Sequence, residues 1–306
     1  MAKPEKKEIP NYDTLFKNLL SKESNYEFFL KAQSLLKKEL KKNPNTLNYI
    51  SLLIYCINHL KESEDKQSIN SLLDYSLEQY IMKNKTLPEN ISKEEFIEGF
   101  MKAFSLCNGL LNTHNFRLKF LYYCKKNNID EKSLKLYKCY DIFAKGCISA
   151  KEYVDAYHYC IKSDNINLLF DLFEDLEKLC ESMNKGNEVE NIENPLYNYK
   201  LLFKKLDKEE LNLLILRTTL ELLINKKIEI AFEFIGKYFN KIDKNSIINF
   251  GYNLVCLMIR RPQGFDDFWA LINIYKGVVE KRFDIQNYLN QISKVYYNKT
   301  FLSNNK

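Results

Sequence analysis

Apolar residues recur with the period of an α-helix along nearly the whole chain. Near the C-terminal end, for example, Phe265, Phe268, Trp269 and Ile272 occupy positions i, i+3, i+4 and i+7 of one helical face. Short polar stretches separate such segments, as expected for helices joined by tight connections. The pattern predicts fifteen helices, near residues 11–22, 25–41, 46–62, 66–84, 93–109, 113–127, 131–146, 150–162, 165–183, 195–205, 208–225, 227–240, 244–260, 264–279 and 284–298.

Four of the predicted helices begin with a capping box. In this motif a side-chain oxygen accepts a hydrogen bond from the backbone N–H three residues later, and a glutamate at that position returns the interaction. The pairs are Ser24 and Glu27, Ser92 and Glu95, Ser149 and Glu152, and Asp207 and Glu210. They lie where the apolar segments begin, which strengthens the helical prediction.

Composition narrows the fold class. Glycine and proline are scarce, with 8 and 6 in 306 residues. The tight turns of a β-sandwich, a barrel or a Rossmann-type sheet need these residues, so such folds are disfavoured. An apolar content of 45% allows a large core and excludes global disorder. Because no strict repeat consensus recurs, we predict an all-α fold, a right-handed α-solenoid of about 15 antiparallel helices with tetratricopeptide-like, degenerate repeats.

One polar, acidic stretch interrupts the helical pattern and predicts a domain boundary or an insertion. It divides the chain into two helical-repeat halves. The predicted organisation is a flexible N-terminus (1–10), an N-terminal half (11–182), an acidic polar loop or insertion (183–194), a C-terminal half (195–299) and a tail (300–306).

The sequence predicts a cytosolic protein without a membrane span. The first residues are charged, unlike a secretory signal, and no stretch approaches 18 uninterrupted apolar residues. The eight cysteines lie in apolar segments and form no CxxC pair. We expect free, buried thiols, as in a reducing compartment.

The sequence contains no recognisable catalytic or metal-binding constellation. Neither a GxGxxG nor a P-loop motif occurs, and the three histidines, His59, His114 and His158, are far apart. His158 and Cys160 face away from each other on a predicted helix and cannot share a metal, so we expect His158 to be a partly buried helix residue. We therefore predict no enzyme activity, no cofactor, and no catalytic or metal-ligating residues.

Lysines form the main charged feature of the N-terminal end. From Lys31 to Lys42, which covers most of the second predicted helix and the residue after it, there are five lysines and one glutamate. Lys31, Lys38 and Lys42 fall on one stripe of this helix, and Lys17 and Lys22 belong to the helix before it. The stripe is either a solvated face or an electrostatic docking surface for an acidic protein.

Apolar and aromatic residues are in excess in the last two predicted helices. In the last one, Ile285, Tyr288, Leu289, Ile292 and Tyr296 recur with helical spacing. Such residues usually pack in a core. At the end of a solenoid, however, no further repeat covers the last helix, so the pattern also fits a groove for a partner's helix. Both interpretations remain open.

Several short motifs share their order with those of a known family. They are Ser24–Glu27 with Lys38-Glu39, Ala103–Leu106, Tyr157–Tyr159 before Ser163-Asp164, Asn249-Phe250 before Leu254 and Leu257, and Tyr288–Asn298. Over about residues 12 to 298 the chain thereby resembles the Golgi-to-ER traffic protein 4 family, the adaptor of the tail-anchored protein targeting pathway. It departs from the family at Gln33, which replaces an arginine, and at Ser293 and Asn298, which replace glycines.

The resemblance implies a non-catalytic α-solenoid scaffold in the cytosol. In that family the N-terminal helices bind the ATPase that carries tail-anchored membrane proteins. The C-terminal helices hold a ubiquitin-like adaptor, which recruits a co-chaperone. The resemblance assigns Lys38 to the ATPase contact, and charge geometry alone adds Lys17, Lys22, Lys31 and Lys42. For the ubiquitin-like partner the expected residues are Phe250, Leu254, Leu257, Phe268, Tyr275, Tyr288, Leu289 and Ile292.

Two other functions were weighed against the adaptor. A generic helical-repeat scaffold, such as a proteasome-lid or translation-factor subunit, would usually end in a winged-helix module with short β-strands, whereas this chain is predicted to be helical almost to its end. RNA binding would need aromatic residues exposed among the lysines. The aromatic residues Tyr26 and Phe29 are predicted on the apolar stripe with Leu36 and Leu40, and the net charge of +6 is mild. We therefore expect no nucleic acid partner and no direct membrane insertion.

Overall fold

Every regular element in the described part of the chain is an α-helix, and these residues form no β-strand. In the computed structural model the described residues are 25–42, 46–62, 65–82, 93–106, 114–126, 129, 134–184, 207–241, 246–260 and 264–300. Their helices are α1 (Asn25–Lys42), α2 (Thr46–Glu62), α3 (Lys66–Met82), α4 (Lys93–Ser105), α5 (His114–Lys126), α6 (Leu134–Ser149), α7 (Tyr153–Lys162), α8 (Ile166–Asn184), α9 (Lys208–Ile224), α10 (Ile228–Lys241), α11 (Ser246–Arg260), α12 (Phe265–Ile274), α13 (Lys276–Val279) and α14 (Phe283–Tyr297). The all-α prediction is therefore confirmed.

Each predicted helix that falls on described residues is present, with small shifts at its ends. The predicted helix near 264–279 is divided at Tyr275 into α12 and the short α13. The predicted segments that lie outside the described residues are 1–10, 11–22, 195–205, 301–306 and most of 183–194.

The capping boxes have different outcomes. Asp207 Oδ1 accepts a hydrogen bond from the Glu210 N–H at 2.9 Å, which confirms the N-cap half of that box. The box at Ser149 is wrong, because Ser149 is the last residue of α6 and α7 begins only at Tyr153. The chain turns between them at Lys151, whose φ is 58°. Ser24 and Ser92 lie outside the described residues.

The chain divides into two compact units, Met1–Ala156 and Tyr157–Lys306. The division falls within α7, earlier than the 183–194 segment at which the sequence predicted a boundary. In the first unit α1 contacts α2 and α3, α2 contacts α3 and α4, α3 contacts α5, and α4 contacts α6. Several helices there thus pack against the helix two places along the chain.

A close approach between α2 and α4 contributes to the core of the first unit. A Cβ added to Gly99 of α4 would lie 2.6 Å from Ile50 Cδ1 and 2.8 Å from Ile50 Cγ2. Carbon atoms in van der Waals contact prefer separations of about 3.5–4.0 Å. The gap between α2 and α4 at Gly99 is therefore too narrow for any side chain unless Ile50 shifts.

We expect Gly99→Ala to destabilise the first unit by about 1–3 kcal/mol, because the new methyl group overlaps Ile50 in a packed core. Gly236→Ala on α10 is the matched control. Apart from the adjacent backbone of its own helix, nothing lies within 4 Å of the Cβ position there, so the higher helix propensity of alanine should raise stability by roughly 0.5–1 kcal/mol. Urea denaturation followed by circular dichroism measures both changes. If both variants are stabilised alike, the close approach at Gly99 is not as described.

In the second unit α9 is the central helix, since it contacts α8, α10, α11 and α14. Its buried residues lie on several of its faces, and they include two threonines. Thr218 Oγ1 donates a hydrogen bond to the Leu214 carbonyl at 2.7 Å, and Thr219 Oγ1 donates to the Ile215 carbonyl at 2.9 Å. The helix itself therefore satisfies these buried hydroxyls, which allows α9 to pack on several sides.

Candidate docking surfaces

The lysines predicted for docking are only partly within the described residues. On α1, Lys38 is exposed and Lys31 is half-buried. The side chain of Lys42 and the whole of Lys17 and Lys22 lie outside the described residues. Among the described residues, the predicted basic surface is therefore that of α1 alone.

Tyr26 and Leu30 correct the predicted apolar stripe of α1. The buried stripe consists of Phe28, Ala32 and Leu36, which recur at i, i+4 and i+8. Tyr26 lies on another side of the helix, where 65% of its surface is exposed, and Leu30 is exposed as well. The sequence assigned Tyr26 to the buried side, and that assignment is wrong.

These exposed residues lie beside basic ones. Tyr26, Leu30 and Lys37 recur at i, i+4 and i+11, so they share one stripe of α1, and the exposed Lys38 lies on the adjacent stripe with Lys31. We call Tyr26, Leu30, Lys37 and Lys38 together the α1 face. It combines an aromatic ring and a leucine with two positive charges, and only Lys38 among them was predicted as a site residue.

Most residues predicted for a C-terminal groove are core residues in the second unit. The fully or almost fully buried ones are Phe250, Leu254, Phe268, Leu289 and Ile292. Leu257, Tyr275 and Tyr288 are half-buried, and the Tyr275 hydroxyl accepts a hydrogen bond from Asn253 Nδ2 at 2.8 Å. The buried five could touch a partner only if the unit opened, so core packing is their role in this structure.

Other apolar side chains of the same region are exposed. Trp269 on α12 is exposed, and exposure reaches 75% for Ile274 at the end of α12 and 72% for Phe283 at the start of α14. Helical periodicity could not identify Ile274 and Phe283, because both lie at helix ends, Ile274 before the break at Tyr275 and Phe283 at the first residue of α14. These three residues are exposed apolar groups within the stretch of sequence that the predicted groove spans, as is Ile259, and the exposed Val295 lies just beyond it.

The described cysteines agree with the predicted free thiols. Six are buried and one, Cys256, is half-buried. Burial raises the pKa of Cys56 and of Cys124 to about 12, so both thiols are protonated near neutral pH. His158, predicted to be partly buried, is exposed and contacts the Tyr159 ring edge-on, with 5.5 Å between ring centroids.

One cluster in the first unit has the spacing of a metal site but contains an arginine. Ligand atoms of Cys147, Glu152 and Asp155 lie within 4.8 Å of one another. Arg117 of α5 is 1% exposed, and its Nη2 donates to Glu152 Oε2 at 2.6 Å and to Asp155 Oδ2 at 2.7 Å. The guanidinium thus supplies the positive charge that these carboxylates need, and burial raises the pKa of Cys147. We interpret the cluster as a structural ion pair.

A lysine caps the C-terminal end of α7 in the second unit. Lys227 Nζ donates to the carbonyl groups of Ile161, Lys162 and Ser163 at 3.1, 2.9 and 2.7 Å, and it lies 2.9 Å from Asp164 Oδ1. The last carbonyls of a helix have no partner within the helix and carry partial negative charge. Lys227 neutralises this charge, so it has a structural role.

No protein-family model matches this chain. A comparison with curated proteins finds no match either. Among the described residues, none of the helices is long and apolar enough to cross a bilayer. Functional interpretation therefore depends on the exposed surfaces.

Proposed function

We propose that the protein is a non-catalytic, cytosolic scaffold for the post-translational targeting of tail-anchored membrane proteins, of the Golgi-to-ER traffic protein 4 type. In this proposal the N-terminal helices dock a targeting ATPase. The C-terminal helices hold a ubiquitin-like adaptor that brings a co-chaperone. The ordered likeness of short motifs supports the family, and the α1 face is the single observation that carries the proposal.

A right-handed α-solenoid with degenerate repeats is the fold that this function needs. Contacts of α1 with α3, α2 with α4, α3 with α5 and α4 with α6 support it within the first unit. In solenoids, equivalent helices of successive repeats stack in this way. Such an array offers long exposed helix faces, which suit a protein that joins two others.

The α1 face has the composition of a protein-docking surface. Tyr26 and Leu30 are exposed apolar groups, and in protein interfaces a few such groups, aromatic ones above all, supply most of the binding energy. Lys37 and Lys38 beside them would steer an acidic partner and fix its orientation. A targeting ATPase with an acidic docking strip fits both requirements.

The second partner is proposed to contact the exposed apolar groups of the C-terminal end. Trp269, Ile274 and Phe283 offer exposed apolar surface there. Leu257 and Tyr288, from the predicted set, are half-buried and could extend it. An apolar segment of a ubiquitin-like adaptor would cover such residues on binding.

Binding of purified targeting ATPase to the full-length protein tests the first contact. We expect Lys37→Glu/Lys38→Glu to weaken binding by about tenfold or more at low salt, mainly by slowing association. Tyr26→Ala should weaken it by roughly thirtyfold through faster dissociation, as expected for an interface anchor. Surface plasmon resonance at two salt concentrations separates the two effects.

Lys125→Glu/Lys126→Glu is the matched control, because both lysines are exposed on α5 in the same unit. It makes the same charge change away from the α1 face and should leave the affinity nearly unchanged. Equal losses in both double variants would mean that only overall charge matters. Binding that changes neither with salt nor with Lys37→Glu/Lys38→Glu or Tyr26→Ala would contradict the proposed docking surface.

RNA binding is a second candidate, because one observation now favours it. The sequence argued against RNA on the ground that Tyr26 was buried, yet Tyr26 is exposed on the same stripe as Lys37. Aromatic rings near lysines form stacking platforms for single strands. An electrophoretic mobility shift with single-stranded RNA near physiological salt, lost in Tyr26→Ala, would favour this function over the adaptor.

A further inference from the structure

Helix α10 presents aromatic residues on two different faces. Phe234 and Tyr238 face the core of the second unit, where both rings lie near Phe173, with centroids at 5.0 and 6.0 Å. Phe232 and Phe239 lie on another face, where they are 41% and 37% exposed. Two exposed phenylalanines at i and i+7 extend along two helical turns.

A tyrosine of α11 joins these two rings into one aromatic surface. Tyr252 stacks on Phe239 with 4.0 Å between centroids and an angle of 11° between the rings. It also lies 6.0 Å from Phe232 at 29°. Ile259, two turns further along α11, is 48% exposed. Exposed apolar surface therefore continues across both helices.

Between α10 and α11 this surface deepens into an open groove of about 590 Å³. We call it the α10–α11 groove. Its lining residues are Ile228, Glu229, Phe232, Glu233, Met258 and Ile259. The start of α10 and the end of α11 meet there, so the two helices run antiparallel along the groove. It involves neither the α1 face nor the exposed apolar groups of α12 and α14.

Gly236 leaves room on the same face of α10. It lies one turn from both Phe232 and Phe239, and apart from the adjacent backbone of its own helix nothing is within 4 Å of the position that its Cβ would occupy. An incoming side chain can therefore approach the backbone of α10 between the two rings.

Acidic residues line the α10 side of the groove, and a basic residue follows its lining on α11. Glu229 and Glu233 on α10 are exposed and form no ion pair with any described residue. Elsewhere on the same helix, Lys237 is paired with Glu174 at 3.0 Å. On α11 the next residue after Ile259 is the exposed Arg260. A ligand that complements this rim carries basic groups towards α10 and an acidic group towards α11.

We infer that the α10–α11 groove binds an amphipathic helix of a partner protein, with apolar side chains at i, i+4 and i+7, basic residues on the flank towards α10 and an acidic residue towards α11. Antiparallel helices with apolar groups two turns apart match the repeat of an incoming helix. The rim charges select the partner and set its direction. This inference does not depend on the proposed function.

Fluorescence anisotropy with the full-length protein tests the groove. The probe is a labelled synthetic amphipathic peptide with leucines at i, i+4 and i+7, lysines on one flank and a glutamate on the other. A peptide with the two flank charges exchanged and a scrambled peptide are compared with it. We expect the first peptide to bind about tenfold or more tightly than either of the others, and Glu229→Lys/Glu233→Lys to invert the preference between the first two.

Gly236→Trp provides an independent test, because its side chain would fill the room between Phe232 and Phe239, where Gly236 leaves space. It should reduce peptide binding by about thirtyfold or more, whereas Gly236→Ala, with an equal or higher urea midpoint, should retain it. Absence of peptide binding, or binding that is insensitive to both Gly236→Trp and the charge changes, would overturn the inference. Sedimentation that detects a dimer abolished by Gly236→Trp would also overturn it, since a second copy would then be the occupant. Neither result would alter ATPase binding through the α1 face.

Discussion

Replacing Arg117 with methionine should lower the free energy of unfolding of the first unit by roughly 3–5 kcal/mol, the largest effect of a single substitution that we expect in this protein. The guanidinium is buried and lies 2.6 and 2.7 Å from Glu152 and Asp155. Methionine keeps much of the side-chain volume but leaves two carboxylates without their counter-charge in a poorly hydrated place. Urea denaturation at neutral pH, followed by circular dichroism, measures the loss.

A triple variant separates the charge effect from the packing effect. Arg117→Met/Glu152→Gln/Asp155→Asn removes all three charges together, so no uncompensated charge stays buried. It should recover most of the stability that the single variant loses. If Arg117→Met changes the free energy of unfolding by less than about 1 kcal/mol, the contacts of Arg117 with Glu152 and Asp155 do not stabilise the first unit as proposed.

Lys227→Met should destabilise the second unit by about 2–3 kcal/mol, because three carbonyl groups at the end of α7 lose a charged donor at once. We expect the end of α7 to open locally before the whole unit unfolds. Amide hydrogen exchange near the end of α7 should accelerate, and the urea midpoint should fall. Lys227→Arg keeps the charge with different geometry and should restore part of the protection.

Lys226→Met is the matched control for this prediction. Lys226 is the preceding residue, is exposed and carries the same charge. Its loss removes no bond to the carbonyls of α7, so the stability should change by less than about 0.5 kcal/mol. Equal effects at Lys226 and Lys227 would assign the stabilisation to overall charge and not to the cap.

Helices could be predicted from this sequence because their period is a local property. The predicted capping box at Ser149 shows that a local motif is not enough to locate the start of a helix. Serine followed by glutamate three residues later satisfies the motif, but Glu152 pairs with Arg117, which lies 35 residues earlier in the chain. A contact between distant residues outweighed a local capping signal, and no window around Ser149 contains that information.

The sequence also did not reveal which face of each helix is buried. On α1 both Phe28, Ala32 and Leu36 on one side and Tyr26 and Leu30 on another are largely apolar, and only packing decides which side is covered. The same applies to α11. Its core residue Phe250 was predicted for a partner, whereas Tyr252 stacks on the exposed Phe239 and Ile259 lines the α10–α11 groove. Periodicity identifies an apolar stripe but not the neighbour that covers it.

Helix ends without glycine are a further feature of this chain. Lys151, Lys226 and Asn298 follow α6, α9 and α14 with φ values of 58°, 60° and 53°. After each, the next N–H bonds back to a carbonyl of the last turn, at Cys147, Leu222 and Ser293. Outside glycine this conformation costs about 1–2 kcal/mol. Lys151 is followed by Glu152, which is bound to Arg117. Lys226 is followed by Lys227, which is bound to the end of α7. At these two helix ends, contacts with distant residues therefore stabilise the left-handed residue that ends the helix. A peptide excised around α6 or α9 would lack those partners, and its helix could continue past the residue at which it stops in the whole protein.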